Sequence, residues 1–177
     1  MINSRNTLVF IVGKTCSGKT SVARCIGESG YFVVSASHVL AGVSRSMGYD
    51  FLDRVDLSNF AVKLRASNEL NLFHNALFAS LKKSVSGVVD GARFVETYDN
   101  AKTIYLRPIV VYLDCDEAVR KGRFERLNSK LSWDQVTSLE TERSVHDFRQ
   151  VCSLCIRTNN ITPQKVAGQI MDLFFVS

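Results

Sequence analysis

The chain predicts an α/β fold built on a parallel sheet, and three observations carry that prediction. Five short runs rich in β-branched and aromatic residues, at 8–12, 31–35, 87–90, 109–113 and 154–157, alternate with helical stretches. Buried strands alternating with helices are the pattern of a parallel sheet covered on both faces. The first run leads straight into Gly13-Lys14-Thr15-Cys16-Ser17-Gly18-Lys19-Thr20, which fits G-x-x-x-x-G-K-[ST] and opens a helix at Ser21-Val22-Ala23. The third run ends on Asp90-Gly91. That puts a carboxylate at the carboxyl end of a buried strand, where ligands gather in open parallel sheets.

The elements follow in order. Residues 20–29 form the first helix, with Gly30 placed as its C-terminal stop. About fifty residues separate the second and third strands, too many for a simple crossover. Leu70, Phe73, Leu77 and Leu81 recur at helical spacing over 68–84, and 37–47 and 57–65 supply two more helices. Together they predict a small helical lobe at 37–84 facing the glycine-rich loop. After the fourth strand, Asp116 is placed to cap a helix carrying Arg120, Lys121, Arg123 and Arg126, with Lys130 beyond it. Ser132-Trp133-Asp134-Gln135 reads as a capping box opening another helix, and Thr162-Pro163 as the N-cap and first residue of the last one.

The chemistry concentrates in the loop and at Asp90. Glycines let successive backbone N–H groups from Gly13 through Ser21 point into one concavity, and the helix N-terminus adds its positive end. Lys19 then reaches the β- and γ-phosphates of a nucleotide, and the Thr20 hydroxyl ligates Mg²⁺. Asp90 is the natural partner for that ion, and Arg93 offers a planar fork to a phosphate. The basic run from Arg120 to Lys130 is either a solvated helix face or a cationic clamp over transferring phosphates. Cys152-Ser153-Leu154-Cys155 has only His146 near it, so it reads as packing rather than as a zinc or redox pair. His38 and His74 read first as ordinary histidines, and Trp133 as an apolar anchor.

The bulk numbers bound the rest. A chain of 177 residues, 46% apolar and 22% charged, suggests a single domain able to bury its own core. The net charge of +5 favours anionic ligands without demanding nucleic acid. Five cysteines, an odd number, fit a reducing compartment better than a disulfide framework. With no membrane-length apolar run and no leader-like N-terminus, the expectation is a cytoplasmic protein, monomeric or homodimeric.

Taken in order, the motifs resemble those of the nucleoside monophosphate kinase-like P-loop kinases. Within that group the chain is similar to dephospho-CoA kinase-like, adenylate kinase-related and phage deoxynucleoside monophosphate kinase-like proteins. The resemblance runs almost end to end. It rests on GKTCSGKT at 13–20, SGYFVVSASHVL at 29–40 and VVDGARFVET at 88–97. It continues in IVVYLDCDEAVRKGRFERL at 109–127, LSWDQ at 131–135 and CIRTNNITPQKV at 155–166. It implies a three-layer P-loop kinase fold, its five-stranded parallel sheet ordered 2-3-1-4-5, over residues 1–177. It further implies an acceptor-binding lobe at 37–84 and a lid-like basic segment at 120–143.

The implied activity is phosphoryl transfer from ATP, with Mg²⁺, to a small acceptor such as a nucleoside monophosphate. Carried over residue by residue, Gly13, Gly18, Lys19 and Thr20 hold the phosphates and metal. Asp90 and Arg93 serve the metal or acceptor side, Arg123 and Arg126 match lid arginines, and Asn159 matches the asparagine that contacts adenine. The sequence departs from the family after the second strand, where Ser-x-Gly-Asp-x-x-Arg is usual. His38 stands for the aspartate and Ala41 for the arginine, with Arg45 one turn on as a candidate substitute. Leu139 and Glu140 stand where a lid arginine often follows. Two alternatives therefore stay open: a nucleotide-binding regulator or slow ATPase with a degenerate acceptor site, and a kinase of nucleic-acid ends or modified bases.

Overall fold

Strand β1 (Thr7–Val12) shows why the sheet must be sandwiched, because every one of its residues is buried. Period-2 alternation sends Leu8, Phe10 and Val12 into one apolar cluster and Val9 and Ile11 into another on the opposite face. A strand apolar on both sides is stable only in the middle of a parallel sheet with helices above and below. The computed structural model, which describes residues 7–50, 53–81, 86–105, 107–127 and 129–175, has that arrangement. Its sheet contains β1, β2 (Phe32–Ser35), β3 (Gly87–Asp90), β4 (Arg107–Asp114) and β5 (Leu154–Arg157), in the order β2-β3-β1-β4-β5. All pairs are parallel. The order is the one the resemblance implies.

Helices α1 (Lys19–Glu28) and α9 (Pro163–Phe174) cover one face, packing Val22, Ile26, Val166 and Ile170 on Val9, Ile11, Val111 and Leu113. The first helix stops where expected. Gly30 takes φ +92, and the Tyr31 N–H reaches back to the Ile26 carbonyl. Across the sheet lie α2 (Ala36–Ser46), α3 (Arg54–Ala66), α4 (Leu70–Ser80) and α5 (Glu96–Ala101). Phe60, Leu64, Leu77 and Phe78 from this group bury against Leu8, Phe10 and Tyr112. The helix expected over 68–84 is described to Ser80; positions 82–85 lie outside the described residues.

After β4 the chain forms α6 (Glu117–Glu125), α7 (Trp133–Thr137) and α8 (Glu140–Ser144), then a 3₁₀ turn at Val145–Gln150 before β5. The capping box at α7 forms as read, with the Ser132 side chain accepting from Gln135 N–H and Gln135 accepting from Ser132 N–H. The basic stretch is not one face. Arg120 is buried, whereas Lys121, Arg126 and Lys130 are exposed. Phe124, Trp133 and Val136 make a separate small cluster that packs on Cys16, so this segment docks against the glycine-rich loop. In the pairing register Ile11 and Ser35 both stand opposite Asp90. The strand ends therefore finish level, and the loop, Asp90 and α2 meet at one rim.

Candidate active site

The loop at 13–18 leaves β1 in conformations that glycine alone tolerates at two points. Gly13 has φ +146, and a Cβ there would lie 2.5 Å from the Leu113 carbonyl oxygen. Gly18 has φ +100 and caps α1 without a side-chain acceptor, which leaves the first-turn N–H groups open to an anion. Between them, three successive carbonyls are held from behind. Arg120 Nη1 donates to Thr15 O at 3.4 Å, Arg123 Nη1 to Cys16 O at 3.1 Å, and the Thr158 hydroxyl to Ser17 O at 2.8 Å. The Thr15 N–H goes to Glu142 and the Ser17 N–H to the Lys14 carbonyl, so the N–H groups left to form an anion nest are those at Gly18 and the first turn of α1.

Lys19 is 8% exposed, and its Nζ donates to the Lys14 carbonyl at 2.9 Å. Burial, helped by the Arg93 charge, lowers its pKa to about 7. The sign of the linkage follows. Between about 7 and the ordinary 10.5 the unfolded chain holds more protons at this site than the folded one. Folding stability from this group therefore rises with pH across that window and is lowest below it. A polyphosphate against the ammonium reverses the shift, since an opposite charge favours the charged form. Mg·ATP binding at about pH 8 is accordingly expected to take up close to one proton. Calorimetric heats in two buffers of different ionisation enthalpy measure that uptake; equal heats would show Lys19 already charged.

The Thr20 hydroxyl donates to Asp90 Oδ2 at 2.9 Å. Asp90 Oδ1 is buried with no hydrogen-bond partner, an orphaned carboxylate oxygen beside the nest. Burial pushes the Asp90 carboxyl above its usual range, against the pull of Lys19, Thr20 and Arg93. A buried carboxylate short of a cation, next to a hydroxyl, fits a hard oxygen-seeking ion such as Mg²⁺.

Beyond the nest the cleft continues as one cavity of about 810 Å³. Its floor is Gly18, Lys19, Thr20, Asp90 and Gly91. Its far wall is apolar, built by Leu40, Leu57, Ala61, Leu70, Phe73 and Phe94. Arg54 and Arg93 line it as well. A single carboxylate holds them: Glu142 Oε2 accepts from Arg93 Nη1 at 2.7 Å and lies 3.5 Å from Arg54 Nη2. Glu142 also accepts from the Thr15 N–H, and from the Thr15 hydroxyl at 2.8 Å, while Arg54 donates to that hydroxyl. Burial raises the Glu142 carboxyl, but Arg93, the Thr15 bonds and Lys19 outweigh it and leave it below the usual range.

The structure thus brings Thr15, Cys16, Gly18, Lys19, Thr20, Ser21, Asp90, Arg93 and Arg123 to one cleft. Lys14 contributes its carbonyl, and Ser17 turns its hydroxyl back toward Gly13. Other expected residues are elsewhere. His38 and Arg45 are exposed and do not line the cleft, and Arg126 is exposed where α6 ends. Arg123 is a brace as much as a lining residue, since its Nη2 also donates to Thr158 O at 2.7 Å. Asn159 pairs with Asp116 through both amide atoms, at 2.9 and 2.6 Å. Arg54, Asp53 and Glu142 were not singled out by sequence. The adjacent Asp53-Arg54 pair was the available signal, whereas nothing around Glu142 marks it.

Solved structures with a similar fold include a shikimate kinase from Acinetobacter baumannii in complex with shikimate. It matches at TM-score 0.57 and 19% identity, covering 96% of this chain and 92% of that one. The chain has the fold of the P-loop kinases. A shikimate kinase from Bacteroides thetaiotaomicron matches at TM-score 0.59 and 10% identity, with 96% and 99% covered. A gluconokinase from Sinorhizobium meliloti matches at 0.63 and 16%, with 94% and 90% covered. No family model matches the chain, and no curated protein does. Among the described residues no helix is long and apolar enough to cross a membrane.

Proposed function

We propose that the protein transfers the terminal phosphoryl group of ATP to a small acceptor with an anionic head and a flat apolar body. A nucleoside monophosphate or related nucleotide is the class that answers this description. One observation carries the reading: a single cleft is lined at once by the glycine-rich loop, by Arg54 and Arg93, and by Phe73 and Phe94. Ser37, Asp53, Ser58, Thr97 and Thr141 also line the cleft, so a polyol such as shikimate or gluconate is the rival acceptor, and the apolar wall is what sets the two apart. A planar base suits it. The aspartate and arginine missing after β2 have counterparts in Asp53 and Arg54 at the start of α3, both lining the cleft. That favours a working acceptor site over a degenerate one.

The chain's own groups then act by position and charge. The nest N–H groups and Lys19 hold the donor phosphates and neutralise charge building on the transferring group. Mg²⁺, held by Thr20 and Asp90, supplies further neutralisation when bound. Arg54 and Arg93 orient the acceptor's anionic oxygen in line with the donor. A phosphate acceptor is already an anion, so no general base is required. The packing of α6–α8 against the donor loop shields the cleft from water, which disfavours hydrolysis.

The test is ADP release with Mg·ATP or Mg·GTP against a panel of ribo- and deoxynucleoside monophosphates, shikimate and gluconate. At least one nucleotide is expected to raise the rate about 100-fold or more over the acceptor-free rate, the scale that positioning supplies. Steady hydrolysis indifferent to every acceptor would instead establish the slow-ATPase reading.

A further inference from the structure

We propose that Glu142 is a positioning residue, the internal counter-ion that sets Arg54 and Arg93 side by side as an anion clamp and fixes that clamp to the donor loop. The inference rests on the phosphotransferase reading of the site but can fail independently of it. Glu142 does not line the cleft; it lies behind the two arginines that do. Its side chain is 3% exposed, against 40% for Arg54 and 24% for Arg93.

Proton bookkeeping fixes the direction of the network. A carboxylate only accepts and a guanidinium only donates, so the one hydroxyl proton of Thr15 must go to Glu142. The Thr15 oxygen is then left to accept from Arg54, as found. Every chain of donors in this group, including the one from Arg54 through the Thr15 hydroxyl, ends on the Glu142 carboxylate, and no member can reverse its role. Arg54 and Arg93 carry like charges, and Arg93 adds to burial in lowering the Arg54 pKa. Without the carboxylate they would separate. With it, each guanidinium spends part of its fork on Glu142 or Thr15 and keeps its other N–H groups for the cleft it lines.

The Thr15 N–H bond adds a second consequence. Glu142 sits on α8, after the segment that docks on Cys16, so the clamp is registered against the donor loop by a helix that also packs on α3. This assigns to α8 the alignment of acceptor anion with donor phosphate.

The probe is inorganic phosphate, titrated calorimetrically into the Mg·ADP complex and into nucleotide-free protein. Wild type is expected to bind phosphate in the Mg·ADP complex. Glu142→Gln keeps the shape and removes the charge. It is expected to weaken phosphate at least tenfold while Mg·ADP affinity stays within threefold. Glu142→Asp keeps the charge on an arm too short for Thr15 and Arg93 together, and is expected to fall between. A merely structural role predicts parallel loss of both ligands and of thermal stability, and that result would overturn the proposal. So would unchanged phosphate affinity in either variant, or absence of phosphate binding by wild type that binds Mg·ADP. Should the glutamine variant not fold, the aspartate variant alone decides by the same criteria. Failure of wild type to bind Mg·ADP sinks the phosphotransferase reading instead, and the nucleotide-free titration still tests the clamp.

Discussion

Replacing Lys19 with alanine should reduce acceptor-dependent ADP formation by about 10³-fold, near the upper end for loss of one preorganised charge at a transferring group. The size of the effect follows from where the ammonium sits. It is nearly inaccessible to water and close to Asp90, Arg93 and Glu142, all of which act on its protonation. Water admitted into the alanine cavity is a poor substitute, because it must reorganise as charge moves, whereas Lys19 is already aimed. Folding should not suffer. The lowered pKa means that the buried ammonium destabilises the folded state at neutral pH, so thermal unfolding of Lys19→Ala should come at an unchanged or higher temperature. Full turnover in that variant would remove Lys19 from the mechanism.

Asp90→Asn is the second large effect, and it too separates function from stability. The amide oxygen can still accept from Thr20, so the local hydrogen bond survives. What disappears is the charge on a carboxylate whose Oδ1 has no partner. Because the folded-state pKa is raised, the folded protein binds more protons than the unfolded chain from just below the ordinary 3.8 up to the raised value. Stability from Asp90 therefore falls as pH climbs through that window, and the deficit persists at neutral pH. The asparagine variant should be as stable as wild type or more so, while turnover drops about 100-fold and half-saturation by Mg²⁺ moves about tenfold higher, as expected when a metal's anionic ligand is lost. Steady-state rates across a Mg²⁺ series, with thermal melts in parallel, measure both. An identical Mg²⁺ response would show that the ion is held elsewhere.

How much of this was legible in the sequence depended on whether the signal was local. The strands were readable because each is a short apolar run, and the glycine-rich loop because its glycines and lysine are spaced along one turn. Gly30 and the Ser132 box were equally local, and they form as read. The clamp was not readable. Arg54 comes from the start of α3, Arg93 from the loop after β3 and Glu142 from α8, so no spacing records their meeting. The basic run of α6 misled in an instructive way. Helical periodicity turns Arg120 and Arg123 inward onto loop carbonyls and leaves Lys121 and Arg126 in solvent, so composition alone could not distinguish brace from clamp. His38 is an acceptor-side candidate only through the resemblance, since it stands where that family has an aspartate. It occupies the first turn of α2, its N–H on the Ser35 hydroxyl, with the ring exposed.

The docking of α7 on the loop has a practical outcome. Trp133, the chain's single tryptophan, is 9% exposed, 5.5 Å from the Phe124 ring and 5.2 Å beneath the Arg120 guanidinium. Arg120 in turn grips the Thr15 carbonyl. The molecule therefore carries its own fluorophore at the joint between the α6–α7 segment and the glycine-rich loop. Nucleotide-driven movement there should register as a shift in indole emission, with no label attached.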